Sequence, residues 1–225
     1  MTSEPPTVIA AFAMMTAADA TKPLITYYND ATGERLDLSG ATLANWVAKT
    51  ANLLVDGHGL GPGDVVAVSL PPHWLTAAIM LGCWSAGVAI GVTGADVGFA
   101  TSASEVAAAD IYAVSLAPLG APFRPGPPPG TADYAVSVRA YGDHFTPRVS
   151  GTDVALADGT TQAALLALAP AVPGPRVLVD SARTGDAVDW LVAPIAHRAS
   201  IVLCANLDPA RLDARLASEH AVAWP

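Results

Sequence analysis

Lysine is nearly missing from this chain: Lys22 and Lys49 are the only two, and none follows Lys49. Charged residues of all kinds make up 14% of the sequence, and 20 Asp and Glu outnumber 11 Lys and Arg, leaving a net charge of -9. A nucleic-acid partner needs clustered basic residues to displace counterions from phosphates, so that class is excluded. The two cysteines, Cys83 and Cys204, lie far apart in apolar stretches. They do not form a disulfide framework, and buried reduced thiols are the expectation, with a single disulfide left open. The five histidines (His58, His73, His144, His197 and His220) are scattered without HExxH spacing, and no CxxC or G-x-S-x-G occurs. Metal and serine-hydrolase chemistry therefore have no support, and no metal site is expected. The opening MTSEPPTVIAAFAMM carries Glu4 and lacks the basic start of a signal peptide, so a cytoplasmic protein is expected.

Apolar residues, by contrast, are abundant at 52%, and 225 residues suffice for one sizeable core. The stretch from Leu54 to Val92, LVDGHGLGPGDVVAVSLPPHWLTAAIMLGCWSAGVAIGV, organises the rest. Gly57, Gly59, Gly61, Pro62 and Gly63 forbid regular structure until Asp64. Val65 to Leu70 is a short β-branched run, the pattern of a strand covered on both faces. Pro71 and Pro72 stop it, and His73 to Gly87, rich in Ala, Leu and Met, favours helix. No Asp, Glu, Lys or Arg occurs between Asp64 and Asp96, which raises the alternative of a membrane span. The paired prolines, four glycines and unflanked ends favour a helix and strand in a globular core, so no membrane partner is expected. GHGLGPG is a turn and not a dinucleotide fingerprint, because it follows a helix and precedes a strand.

The segment LANWVAKTANLLVDGHGLGPGDVVAVSLPPHWLTAAIMLGCWSAGVAIG resembles the early block of the AMP-binding superfamily, which comprises acyl-CoA synthetases, peptide-synthetase adenylation domains and luciferases. The spacing of Gly61, Gly63, Asp64 and Gly87 matches the family pattern. The chain is similar in particular to short actinobacterial proteins carrying only the first part of that fold. The resemblance implies an α/β fold, a mostly parallel sheet flanked by helices, like the N-terminal subdomain of AMP-binding enzymes.

The other segments fit that expectation. A short helix is predicted over residues 8–15, a hairpin over 23–28 and 34–38, and a helix capped by Ser39 with Leu43, Trp46, Val47, Thr50 and Leu54 on one face. Residues 97–100 predict a strand, 102–105 a capping box opening a short helix to Ala109, and 111–115 another strand. Residues 116–130 are rich in proline and glycine and predict an irregular connection within a single domain spanning 1–225, or a lobe boundary. Residues 131–141 predict a helix. Arg176 to Asp180 and Ser200 to Cys204 read as buried strands, Thr184 to His197 as a helix, and Asp208-Pro209 as the cap and first turn of the last helix.

Two stretches carry candidate chemistry. Arg139, Tyr141, Asp143, His144 and Arg148 form the densest polar cluster, and Asp143-His144 is either an acid–base pair or part of a solvated loop. Asp158-Gly159-Thr160-Thr161 falls where the family resemblance places a phosphate-cradling loop, T-S-G-T-T-G-x-P-K-G. Gly159, Thr160 and Thr161 keep its core, but Asp158 stands for the serine, Gln162 for the next glycine, and the Pro-Lys-Gly tail is missing. Such loops bind phosphate through backbone N–H groups, hydroxyls and a lysine; a carboxylate repels it. The plain reading is a tight turn with Thr160 capping a helix over 162–169. Further on, LVAPIAHRASIVLCANLDPARLDARLASEHAVAWP resembles a later family segment, while Val179-Asp180-Ser181 replaces the aromatic and histidine motif expected before it. The family's motifs for adenine, ribose and magnesium, and its catalytic lysine, find no match.

The expectation is thus a non-catalytic relative of adenylate-forming enzymes, without cofactor, that binds a small ligand or a protein partner. Of its candidate ligands, an acyl compound or a nucleotide, ATP and AMP are the less expected. Two alternatives come from other classes: a subunit of a split acyl-CoA ligase completed by another chain, and a structural module, for example a homodimer.

Overall fold

The computed structural model describes residues 6–224. Its ten strands are shared between two five-stranded sheets, ordered β10-β8-β9-β1-β2 and β4-β3-β5-β6-β7. The first contains β1 (Pro23–Asn29), β2 (Glu34–Ser39), β8 (Arg176–Asp180), β9 (Ser200–Ala205) and β10 (Val222–Trp224). The second contains β3 (Val65–Ser69), β4 (Ala89–Gly91), β5 (Ala95–Ala100), β6 (Ala108–Ala113) and β7 (Ala132–Asp133). All pairings are parallel except the β1–β2 hairpin. The helices are α1 (Val8–Ala18), α2 (Gly40–Asn52), α3 (Trp74–Ser85), α4 (Tyr134–Ser137), α5 (Gln162–Ala167), α6 (Ala193–Ala196) and α7 (Leu212–Glu219). The architecture is α/β, parallel sheets flanked by helices. No helix among the described residues is long and apolar enough to cross a membrane.

The central stretch forms as its composition dictates. Helix α3 is buried on every side, from Trp74 to Ser85, which explains why it shows no polar face at all. Its crossing with α2 is tight because Gly82 brings the backbones together: a Cβ there would lie 2.6 Å from Thr50 Cβ. Thr50 has little room to move, since its hydroxyl meets the Trp46 carbonyl at 2.8 Å and the Tyr134 hydroxyl at 2.7 Å. Helix propensity favours alanine over glycine by about 1 kcal/mol, but overpacking a core costs about 1–3 kcal/mol. Gly82→Ala is therefore expected to lower the melting temperature by a few degrees, measurable by circular dichroism; an unchanged or raised value would contradict the tight crossing.

Several boundaries differ from the expectation. The alanine-rich stretch before Ala109 is not a helix, and β6 starts at Ala108. Val106 is buried against Ala67 and Ala100, while the Glu105 carboxylate turns back onto the Thr101 N–H and hydroxyl, so the chain leaves its 3-10 turn extended. Residues 131–141 are split into β7, α4 and a 3-10 turn, because Asp133 caps at Val136 N–H and also receives the Phe123 N–H. The predicted helix over 184–197 is a π-helical turn (Val188–Val192) followed by α6. Strand β10 went unpredicted. Cys83 and Cys204 are both buried and free.

The face of the first sheet that packs against α7 carries a polar row. Arg176 on β8 reaches the Ser200 hydroxyl at 3.1 Å, the Thr26 hydroxyl at 2.9 Å and the Glu219 carboxylate at 2.6 Å. Glu219 also receives the Tyr28 hydroxyl and pairs with Arg35 at 3.2 Å. One turn earlier on α7, Arg215 grips Asp30 through contacts of 2.7 and 3.1 Å, with its guanidinium 4.1 Å from the Tyr28 ring centroid.

Candidate functional site

Open parallel sheets present ligands beyond the carboxyl ends of their strands. Here those ends carry the loops after β1, β3, β6, β8 and β9, together with the turn at 154–161 that lies beside β4.

The Asp158-Gly159-Thr160-Thr161 stretch is that turn. Val154 bridges Thr161 antiparallel, and Leu156 bridges Ile90 parallel, so the hairpin extends the β4 edge of its sheet. The Gly159 N–H is taken by the Leu156 carbonyl at 3.0 Å, and the Thr160 N–H by the Asp158 carboxylate at 2.9 Å. That bond is the first of the causes holding the exposed Asp158 carboxyl below its ordinary range. The Thr160 carbonyl accepts the N–H groups of Ala155 and Leu156, which keeps Thr160 in the hairpin. The helix cap accordingly passes to Thr161, whose hydroxyl accepts the Ala164 N–H at 3.2 Å, and α5 ends at Ala167.

Gln162, the first residue of α5, is completely buried, and its Nε2 donates to the Trp84 carbonyl at 2.9 Å. Trp84 Nε1 donates in turn to the Ala155 carbonyl at 3.0 Å. The two side chains clamp the turn to the C-terminal end of α3. Lys49 is engaged elsewhere, its Nζ bonded to the Tyr141 carbonyl at 2.8 Å.

The polar cluster after α4 is laid along the surface. Arg139, Asp143, His144 and Arg148 are exposed, and Tyr141 is half-buried. Arg139 reaches the Gly120 carbonyl at 3.4 Å and stands over the Trp46 ring. The Gly142 and His144 carbonyls accept from Asn52 Nδ2 at 2.9 and 3.0 Å, which pins the loop through its backbone. No hydrogen bond or ion pair among the described residues joins Asp143 to His144.

Two polar groupings escaped sequence reasoning. His58 Nε2 lies 2.8 Å from the Tyr112 hydroxyl and its Nδ1 3.6 Å from Asp110, beside an open cleft of about 370 Å³. The second lies where the carboxyl ends of β1 and β3 meet. Sequence offered one signal for it, a histidine and a tryptophan placed directly after the Pro71-Pro72 stop. His73 caps α3 by accepting the Leu75 N–H on Nδ1 at 3.1 Å, and its ring stands edge-on to Tyr27 at 4.5 Å. Burial pushes the His73 imidazole down to about 3 and is the main cause raising the Tyr27 phenol to about 12.

An α/β protein with parallel sheets flanked by helices is the class these features define. The family model described as AMP-binding enzyme matches residues 15–109. A TIGR03089 family protein of Mycobacterium tuberculosis is 41% identical over 227 positions, covering 91% of this chain and 92% of that protein. Among solved structures, the Brucella canis acyl-CoA synthetase superposes with a TM-score of 0.75 at 16% identity, over 99% of this chain and 48% of that one. The artificially fused NpsA-ThdA adenylation-PCP di-domain from Klebsiella oxytoca gives 0.66 at 13% identity, with 97% and 44% coverage. The chain belongs to the TIGR03089 family of its mycobacterial relative, it carries a match to the AMP-binding enzyme model over residues 15–109, and it spans about half the length of the solved structures it matches.

Proposed function

We propose that this chain is a small-ligand-binding member of the AMP-binding family that does not adenylate. One observation carries the reading: the loop of Asp158, Gly159, Thr160 and Thr161 spends its Gly159 and Thr160 amides on Leu156 and Asp158. A phosphate loop works by aiming free N–H groups at the anion, and a fixed carboxylate at that position opposes one. The buried Gln162 ties the turn to α3 and fixes it in this arrangement. The ligand face under this reading is the part of the carboxyl edge formed by the loops after β1, β3 and β6.

A thermal-shift titration of the full chain tests it. A ligand at one hundred times its dissociation constant adds about 2.7 kcal/mol, a rise of roughly 5–10 °C for a chain of this size. Mg-ATP and AMP are expected to leave the melting temperature unchanged. A saturable rise with either nucleotide would overturn the reading.

A further inference from the structure

Among the described residues, four buried side-chain atoms lack a hydrogen-bond partner: Glu34 Oε2, His73 Nε2, Trp74 Nε1 and Gln162 Oε1. Two of the four belong to residues that touch one feature, the turn Pro118–Gly120 that follows β6, and a third belongs to His73 beside them. Glu34 Oε1 accepts the Leu119 N–H at 2.8 Å. A Cβ on Gly120 would lie 2.9 Å from Trp74 Cζ2 and Cη2, so the turn rests on the benzo ring of the indole. The His73 and Trp74 rings stand 5.6 Å apart, and Tyr27 closes the other side of His73. Glu34 opens β2 beside the end of β1, while His73 follows β3. The carboxyl ends of both sheets thus converge here, joined across the Glu34–Leu119 bond.

The chemistry of the three atoms is specific. His73 Nδ1 already accepts from Leu75, so in the neutral ring Nε2 carries the hydrogen and donates. Trp74 Nε1 also donates. Glu34 Oε2 accepts, and its residue is 9% exposed with no ion-pair partner among the described residues. A buried carboxylate without a cation is costly, and two buried N–H groups without an acceptor add to the cost. Aromatic faces beside a carboxylate favour an organic cation.

Resting on the reading of the carboxyl edge as a ligand face, we infer that this junction binds a small organic ammonium compound carrying a nearby oxygen acceptor, the chemistry of an amino alcohol. The ammonium pairs with Glu34, and the oxygen accepts from His73 Nε2 and Trp74 Nε1. The Pro118–Gly120 turn is the part that moves to admit it: it covers Trp74 and holds Glu34 through the Leu119 N–H, while Leu119 itself has a φ of 60° and is 67% exposed.

Ethanolamine is the probe, titrated into the full chain and followed by calorimetry and by the Trp74 indole N–H resonance. Saturable binding that moves this resonance is expected, weakened at least tenfold in Glu34→Gln, which removes the charge and keeps the shape. N-acetylethanolamine and 1-propanol, which lack the ammonium, are expected to leave the resonance in place. These two compounds remove the charge from the ligand instead of the protein, so the test remains decisive even where Glu34→Gln fails to fold. Absence of saturable ethanolamine binding, equal binding by folded Glu34→Gln, or an equal response to N-acetylethanolamine would each overturn the inference. Failure here with Mg-ATP still inert removes only the ligand class; stabilisation by Mg-ATP removes the wider reading.

Discussion

Trp84→Ala is expected to destabilise the protein by about 3–5 kcal/mol, the range for deleting a fully buried tryptophan side chain. At roughly 2–4 °C per kcal/mol for a chain of this size, the melting temperature should fall by about 10 °C or more. Trp84 is completely buried in α3, and its indole N–H holds the Ala155 carbonyl at 3.0 Å. Truncation opens a cavity in the core and leaves that carbonyl without its indole partner. Trp84→Phe separates the contributions: the ring volume is largely kept and the hydrogen bond lost, so about 1–3 kcal/mol should disappear. Urea titration of both variants measures the difference. A Trp84→Phe variant as unstable as Trp84→Ala would mean that packing contributes little and that the clamp on the 154–161 hairpin dominates. Exchange of the Gly159 and Thr160 amides provides the local readout, since both should lose protection in each variant while the β8–β9 amides keep theirs.

The central unit was legible because local chemistry decides it. Glycines and prolines punctuate residues 57–72, and β3 ends at Ser69, one residue short of the prediction. The turn at Asp158-Gly159 was legible for the same reason: an aspartate accepting from the N–H two residues on, followed by a glycine at a φ of 94°, is a local arrangement. Failures occur where tertiary packing overrides propensity. The alanines around 107–109 favour helix, yet Val106 is drawn under the second sheet and extends the chain. The His73 junction, beyond the His73-Trp74 pair itself, was illegible for a different reason. Glu34 reads as an ordinary hairpin residue and Leu119 as loop; only the fold brings their hydrogen bond across eighty-five positions of sequence. Conversely, Asp143-His144 stood out by composition, but both side chains are exposed. Density of polar residues along a sequence is not convergence in space.

Breaking the Arg215–Asp30 pair is the second large effect, expected at about 3 kcal/mol for Arg215→Met, the lower end of the range for removing one partner of a buried pair. Both side chains are 7% exposed. Arg215 also stacks on Tyr28 and approaches Cys204 Sγ at 3.6 Å, so its loss leaves Asp30 with the Asp208 N–H at 2.8 Å and the largely exposed Arg211 at 3.6 Å to offset its charge. The double variant Arg215→Met with Asp30→Leu should recover much of the loss, because the stranded charge is gone and apolar packing replaces it. The pair also fixes a pH dependence. Hydrogen bonds from Arg215, ahead of the opposing effect of burial, hold the Asp30 carboxyl below its ordinary value of 3.8. Burial raises Glu219, but hydrogen bonds from Tyr28, Arg176 and Arg35 outweigh it and leave that carboxyl below 4.5. A carboxyl depressed in the folded state contributes stability that is complete above its unfolded value and lost as pH falls through the folded one. Stability of the wild type should therefore fall as pH drops below about 4.5, and the double variant should show a shallower decline over the same window. Equilibrium urea unfolding between pH 7 and pH 3 reads both slopes. Parallel curves would show that Asp30 is not held by Arg215 in solution, and α7 would then owe its seat on the sheet to Leu212, Leu216 and the Glu219 contacts alone.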